Sequence, residues 1–159
     1  MPDITIRNFT EKDVPQLLEM MKALARFENY IDDFAVTEHD LCARGLGPDP
    51  SFEALVAEEN NFLVGMAVIY HIPWTYDLKP KLVLKELYVS TELRGRGVGK
   101  RLIEGVATRA NDIGASQVNW TVLKGNSQAE TFYRKLGGTP DPVWDGWMLD
   151  GAAISNLSK

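Results

Sequence analysis

Apolar residues change their spacing several times along this chain, and each change marks a predicted element. Ile4-Thr5-Ile6-Arg7 alternates as a short strand does. Thr10 and Asp13 form a capping arrangement ahead of Val14, Leu17, Leu18, Met21, Leu24 and Ala25, whose three-to-four-residue spacing predicts an amphipathic helix ending near Glu28. Thr37-Glu38-His39-Asp40 is a second helix start, for a short helix through Leu41 that stops at Gly45, before the Gly47-Pro48-Asp49-Pro50 loop. The period then shortens. Phe52–Ala57 and Asn61–Tyr70 are predicted strands joined as a hairpin at Glu58-Glu59-Asn60, and Leu82–Val89 is a third strand after the Pro73-to-Pro80 loop.

Beyond Arg94-Gly95-Arg96-Gly97-Val98-Gly99 the helical spacing returns in Leu102, Ile103, Val106, Ala107, Ala110 and Ile113, closed by Gly114. A strand over Gln117–Leu123 alternates Val118, Trp120 and Val122, and a helix over Gln128–Leu136 starts near Asn126 or Ser127 and stops at Gly137-Gly138. A final strand is expected around Val143–Leu149. The order β-α-α-β-β-β-α-β-α-β predicts an α/β fold, a mixed central sheet flanked by helices with parallel crossovers in its later part. No internal repeat or linker divides the sequence, so residues 1–159 are expected to form a single domain.

Composition narrows the functional classes. With 159 residues, 45% hydrophobic and 25% charged, the chain has the makeup of a globular domain able to bury its own core. Its apolar runs, such as Phe62–Tyr70, are too short to cross a bilayer, and Met1-Pro2-Asp3-Ile4 does not open a signal peptide; no membrane association and a cytoplasmic location are expected. Cys42 is the only cysteine, which excludes an intrachain disulfide and a Cys-rich metal site; it is expected to be partly buried filler. His39 and His71 lack metal-ligand spacing, so no metal is expected. The net charge of −5 argues against a nucleic-acid partner and suits a cationic substrate.

The candidate chemistry centres on Arg94-Gly95-Arg96-Gly97-Val98-Gly99-Lys100, between a predicted strand and a predicted helix. Free N–H groups at a helix start favour an anion, and glycines allow a phosphate close approach. On spacing alone the segment is equally a tight strand-to-helix turn. It is not a P-loop, because Lys100 is followed by Arg101 rather than Ser or Thr and the glycine spacing differs. A dinucleotide fingerprint normally follows the first strand, and this loop follows three more. What remains is a pyrophosphate cradle of another kind, with Arg94, Arg96, Lys100 and Arg101 supplying charge.

Leu87-Tyr88-Val89 followed by Arg94-x-x-Gly97-x-Gly99 resembles the acetyl-CoA motif of the GNAT superfamily of N-acetyltransferases. Asn126 and then Phe132-Tyr133-x-x-x-Gly137 resembles the second signature of the same superfamily, in the expected order. Ala23-Leu24-Ala25-Arg26-Phe27-Glu28, Thr37-Glu38-x-Asp40-Leu41 and Asp145-Gly146-Trp147 carry a narrower similarity, to the spermidine/spermine (diamine) and thialysine N-acetyltransferases.

The resemblance implies acetyl-CoA as cosubstrate, a small cationic amine (polyamine, diamine or thialysine-like amino acid) as acceptor, and a homodimer. It assigns Leu87, Tyr88, Val89, Arg94, Gly95, Arg96, Gly97, Val98, Gly99, Lys100, Asn126, Ala129 and Tyr133 to the cofactor. Phe27, Glu28, Lys85, Glu86, Asp145 and Trp147 fall to the acceptor, with Tyr133 as the acid that protonates the leaving thiolate. An aliphatic ammonium of pKa ~10.4 must lose its proton before it attacks. The polyamine enzymes carry two adjacent carboxylates before the acetyl-CoA motif, the first being the proposed base acting through water; here Lys85 stands at the first position and Glu86 at the second. Glu86 acting through water is the expected base, the alternative being proton loss along solvent without a dedicated side chain. Lys85 also keeps open a non-catalytic CoA-binding module, against which Tyr133 speaks; a GNAT enzyme for protein amines or aminoglycosides is the other rival. Acidic residues in Ile31-Asp32-Asp33 either add to a negative funnel or belong to a solvated loop, and Trp74 and Tyr76 either line a pocket mouth or a dimer contact.

Overall fold

The computed structural model describes residues 3–158, which group into two compact units, one ending at Leu123 and the other beginning at Lys124. The first unit is built on a five-stranded mixed sheet: β1 (Thr5–Asn8), β2 (Glu53–Glu59), β3 (Phe62–Ile72), β4 (Lys81–Val89) and β5 (Gln117–Asn119). They lie in that order, antiparallel from β1 to β4, with β5 parallel to β4. Three helices pack on it: α1 (Val14–Phe27) and α2 (Glu38–Gly45) on one face, α3 (Val98–Asp112) on the other. Covering both faces accounts for the continuous apolar runs of β2 and β3. Ala54, Val56, Met66 and Val68 face α1 and α2, while Leu55, Ala57, Ala67 and Ile69 face α3.

The helix starts follow the expected caps. The backbone N–H of Thr10 donates to Asp13 Oδ2 at 2.7 Å, and a 3₁₀ turn over Glu11–Asp13 leads into α1. Asp13 is buried and also accepts from Arg7 Nη1 at 2.7 Å; Arg7 in turn pairs with Glu58 on β2. Thr37 and Asp40 cap α2 reciprocally, with Asp40 N–H donating to Thr37 Oγ1 at 3.2 Å and Thr37 N–H donating to Asp40 Oδ2 at 2.9 Å. Cys42 is half-buried against the α1/α2 core, as filler would be.

Two irregularities in the sheet matter for the site. The β3–β4 register pairs Val68 with Glu86 but Ile69 with Leu84, leaving Lys85 as the extra residue of a β-bulge. Leu82 and Leu84 point into the α3 core, and strict alternation would send Glu86 after them. The bulge resets the alternation, so Glu86 shares the face of Val68, and Tyr88 packs against the α1/α2 core. The second irregularity is the short parallel pairing: β5 meets β4 only at Lys81–Val83, ends at Asn119 instead of the expected Leu123, and leaves β4 from Leu84 onward without that neighbour.

The second unit contains α4 (Ser127–Lys135), an irregular stretch over residues 139–150, and α5 (Gly151–Leu157). The strand expected over Val143–Leu149 is not formed. Asp141 Oδ1 accepts from the N–H groups of Val143 (2.8 Å) and Trp144 (2.9 Å), a side-chain turn that competes with extended backbone, and Pro140 and Pro142 flank it. Helix α5, which the apolar spacing did not announce, starts at Asp150, whose Oδ1 accepts from Ala153 N–H at 2.8 Å. Among the described residues no helix is long and apolar enough to cross a membrane, and no group of three or more His, Cys, Asp or Glu is placed to hold a metal.

Candidate functional site

The glycine loop connects β4 to α3 through a 3₁₀ turn over Thr91–Leu93. Gly95 and Gly97 have φ of +80° and +82°, a conformation that side chains with a Cβ rarely adopt, and a Cβ at either would meet nothing within 4 Å. Gly97 caps α3, so the N–H groups of Val98, Gly99 and Lys100 belong to a first helical turn and lie outside the helical ladder. Val98, buried, anchors that turn in the α3 core. Room beside both glycines, next to N–H groups at the positive end of a helix dipole, is an arrangement that favours an anion.

The loop's cations are differently engaged. Arg94 Nε donates to Val89 O at 3.1 Å, and its guanidinium sits 5.9 Å from the Phe27 ring and 6.0 Å from the Tyr88 ring. That contact ties the loop to the end of α1, where Phe27 and Glu28 lie. Arg96 Nη2 pairs with Glu59 Oε1 at 3.0 Å, Lys100 lies 3.6 Å from Glu104, and Arg101 is exposed.

The second feature is a charged cluster on the α1/α2 side of β4. Glu86 is half-buried, and loss of water raises its carboxyl above the ordinary range; the negative charge of Glu28 raises it further and Lys85 opposes both. Glu28 is also raised by desolvation and pulled back by Lys85. The Tyr30 phenol is pushed up to about 12, by burial first and then by Glu86 and Glu28. Tyr70 is raised by burial and by Glu86, with Arg44 of α2 opposing. A half-buried carboxylate with a raised pKa is a stronger base than a solvated one while remaining ionisable near neutrality. The structure thus places Glu28, Lys85 and Glu86 within electrostatic reach of one another and adds Tyr30 and Tyr70. Neither tyrosine is legible in the sequence, because nothing in the spacing shows the segment after α1, the C-terminal part of β3 and the bulge of β4 meeting.

Asn126, Ala129 and Tyr133 belong to the second unit. Asn126 Oδ1 accepts from Ala129 N–H at 3.1 Å and so caps α4; Tyr133 lies four residues beyond Ala129, one turn along the same face, its ring edge-on to Phe132 at 5.1 Å. Asp145 and Trp147 lie on the irregular stretch 139–150, with Trp147 96% exposed. In the first unit the Trp74 and Tyr76 rings lie 5.8 Å apart and tilted by 48°, with Lys81 Nζ 3.6 Å from the centre of the Trp74 ring, and Asp32 and Asp33 sit in a 3₁₀ turn.

Residues 16–138 match the Acetyltransferase (GNAT) family, a span that includes the glycine loop, the charged cluster and α4. The thialysine N-epsilon-acetyltransferase of Sus scrofa is 32% identical, with 99% of each chain covered. The spermidine/spermine N(1)-acetyltransferase-like protein 1 of Homo sapiens is 29% identical over 91% of this chain, though that match is 22% of the human protein. Among solved structures, an integron cassette protein from the mobile metagenome of V.cholerae superposes with a TM-score of 0.79 at 24% identity, covering 98% of each chain, which establishes a shared fold.

Proposed function

This chain belongs to the Acetyltransferase (GNAT) family and is an acetyl-transferring enzyme that acts on amines, and we propose that it moves the acetyl group of acetyl-CoA directly to a primary amine of a small cationic acceptor: a polyamine, a diamine or a thialysine-like amino acid. The observation that carries the acceptor reading is the half-buried Glu86, turned by the β4 bulge to the side where Glu28 lies close enough to perturb it. Two carboxylates sharing a partly dry site attract an ammonium and lower their own electrostatic cost by taking it.

Bound acetyl-CoA supplies a thioester carbonyl for the amine to attack. The glycine loop, with Leu87, Tyr88, Val89 and the N–H groups of Val98, Gly99 and Lys100, is proposed to hold its pyrophosphate arm. Asn126, Ala129 and Tyr133 are proposed to complete the cofactor contacts. Glu86 is proposed as the base: an amine of pKa ~10.4 costs roughly 4–5 kcal/mol to deprotonate at neutral pH, and a carboxylate able to receive that proton, directly or through water, removes much of the cost. Tyr133 is proposed as the acid, since a phenol holds its proton at neutral pH and can pass it to a departing thiolate. Phe27, Asp145 and Trp147 are proposed further acceptor contacts. Positioning the two reactants contributes up to ~7–11 kcal/mol and needs neither a covalent intermediate nor, in this scheme, a metal.

Both units are proposed to serve one acetyltransferase domain, in keeping with a family match that spans them. A cytoplasmic homodimer is also proposed. Val143, Trp144, Trp147 and Met148 are all exposed on one short stretch, an apolar surface of the kind that a second copy covers; a sedimentation mass of one chain would refute the dimer. The test of function is CoA-thiol release from acetyl-CoA with spermidine, putrescine, lysine, thialysine, an aminoglycoside and a lysine peptide, with Tyr133→Phe as control. Saturable turnover of one small amine, much reduced in the control, is expected. Turnover of the peptide or the aminoglycoside alone would overturn the acceptor class, and CoA binding without any turnover would overturn the acetyl-CoA chemistry.

A further inference from the structure

We propose that Lys85 is the specificity-determining residue of the acceptor site, binding a carboxylate on the same molecule as the reacting amine, so that the enzyme favours diamino-acids over diamines and polyamines that lack a carboxylate. The proposal rests on the reading of Glu86 and Glu28 as the groups that receive the amine, and it adds a third charge of opposite sign.

The position of Lys85 in the sheet carries the argument. As the extra residue of the β3–β4 bulge it faces no partner across the ladder. It is exposed, yet it immediately precedes the half-buried Glu86, with their Cα atoms ~3.8 Å apart as in any trans peptide. Bulges of this kind re-aim a side chain beside an active site. The ammonium of Lys85 acts on both Glu28 and Glu86 and lowers the carboxyl pKa of each. Among the described residues it nonetheless forms no ion pair with either, so its hydrogen-bond donors are not consumed by them. Arg44 of α2, whose charge reaches Tyr70, adds a second cation to the same face.

The cluster is therefore bipolar. A ligand carrying only ammonium groups gains from Glu86 and Glu28 and loses to Lys85, because like charges a few ångströms apart in a partly dry site repel strongly. A ligand with an amine at one end and a carboxylate at the other gains from all three. The flexible four-carbon stem of lysine lets one ammonium follow carboxylates on acceptors of slightly different length. Discrimination then comes from an attractive contact for one class and a repulsive one for the other.

The experiment uses the full chain and acceptors matched in everything except the carboxylate: lysine against cadaverine, and ornithine against putrescine. The ratio of kcat/KM within each pair is measured for the native enzyme, Lys85→Gln and Lys85→Glu. The native enzyme is expected to favour the amino acid in each pair. Lys85→Gln is expected to shrink that preference, and Lys85→Glu to move the ratio by ~10-fold or more toward the diamine, as reversal of a charge beside a partly desolvated site does. The KM for acetyl-CoA and the melting temperature are expected to stay unchanged, which a merely structural role would not leave so. Ratios that are the same in all three proteins would overturn the proposal and make Lys85 a counter-ion of Glu28 and Glu86 only. If no acceptor is turned over, the acetyl-transfer reading of the site fails separately. The same ratios are then taken from calorimetric affinities in the presence of CoA, and equal affinities within each pair, unmoved by Lys85→Glu, overturn the role of Lys85.

Discussion

The glycine loop after β4 and the bulge within it are shaped by different physics. Past its C-terminal end, the glycine loop works through backbone shape: Gly95 and Gly97 are in left-handed conformations, and the first turn of α3 offers N–H groups rather than side chains. Within β4, the Lys85-Glu86 bulge works through burial and charge, with Glu86 perturbed first by loss of water, then by Glu28 at the end of α1, and oppositely by Lys85. A backbone site is local, because consecutive residues build it. A charged site is assembled from distant parts of the chain and is only as good as the packing that brings them together.

The largest effect is expected where the difference is sharpest. Glu86→Gln keeps size and hydrogen bonding but removes the proposed proton acceptor, so kcat should fall by ~10²–10⁴-fold while the KM for acetyl-CoA is nearly unchanged. Loss of acetyl-CoA affinity instead would mean that the loop and the bulge are one site and not two.

The next effect probes what joins them. Gly65 on β3 is tight for another reason than its dihedral angles: an added Cβ would lie 2.9 Å from Tyr88 O, 3.0 Å from Leu102 Cδ1 and 3.2 Å from Val98 Cγ1. Gly65→Ala should therefore push the start of α3 away from β3 and β4, costing about 1–3 kcal/mol of stability in thermal or urea unfolding and raising the KM for acetyl-CoA. A variant as stable as the native protein would show that α3 approaches the sheet with room to spare.

The division between local and assembled features also explains what was legible in the sequence. The glycine loop, the Thr10–Asp13 and Thr37–Asp40 caps and the helix that follows the loop are readable, because each is encoded within a few consecutive residues; the β2–β3 hairpin is readable too, but its turn falls at Asn60-Asn61 and not at Glu58-Glu59-Asn60, since Glu58 and Glu59 still pair with Leu63 and Phe62. The bulge at Lys85 was not: Leu82, Leu84 and Glu86 alternate as an unbroken strand would, and only the pairing with Val68 and Ile69 shows that the phase resets. Tyr30 and Tyr70 were missed for the same reason. The strand expected over Val143–Leu149 is replaced by irregular backbone because Asp141 offers its start a side-chain turn at once. Cap residues such as Asp150 carried a signal that the hydrophobic spacing masked.

A smaller effect is expected at Gly97. A Cβ there meets nothing, so Gly97→Ala costs only the torsional penalty of a left-handed alanine, about 1–2 kcal/mol. If the loop must hold that shape to bind phosphate, the penalty appears as a ~5–30-fold weaker affinity for CoA, with kcat and the preference between lysine and cadaverine unaltered. Weaker CoA binding together with a changed acceptor preference would tie the loop to the charged cluster.

The smallest effect tests whether the charged cluster is coupled as described. A base must be ionised to act, so if Glu86 fills the proposed role kcat/KM should fall as pH drops through its pKa, which burial and Glu28 hold above that of an ordinary glutamate and Lys85 holds back. Removing the negative charge with Glu28→Gln relieves a repulsion that disfavours ionisation of Glu86, and the acid limb of the profile should move to lower pH. Removing the positive charge with Lys85→Gln takes away an attraction that favours it, and the limb should move to higher pH. Burial, the largest cause, is untouched in both, so each limb should still lie above that of a solvated glutamate, and the two shifts should have opposite signs. Shifts of the same sign, or an acid limb that neither substitution moves, would show that the group titrating in kcat/KM is not Glu86.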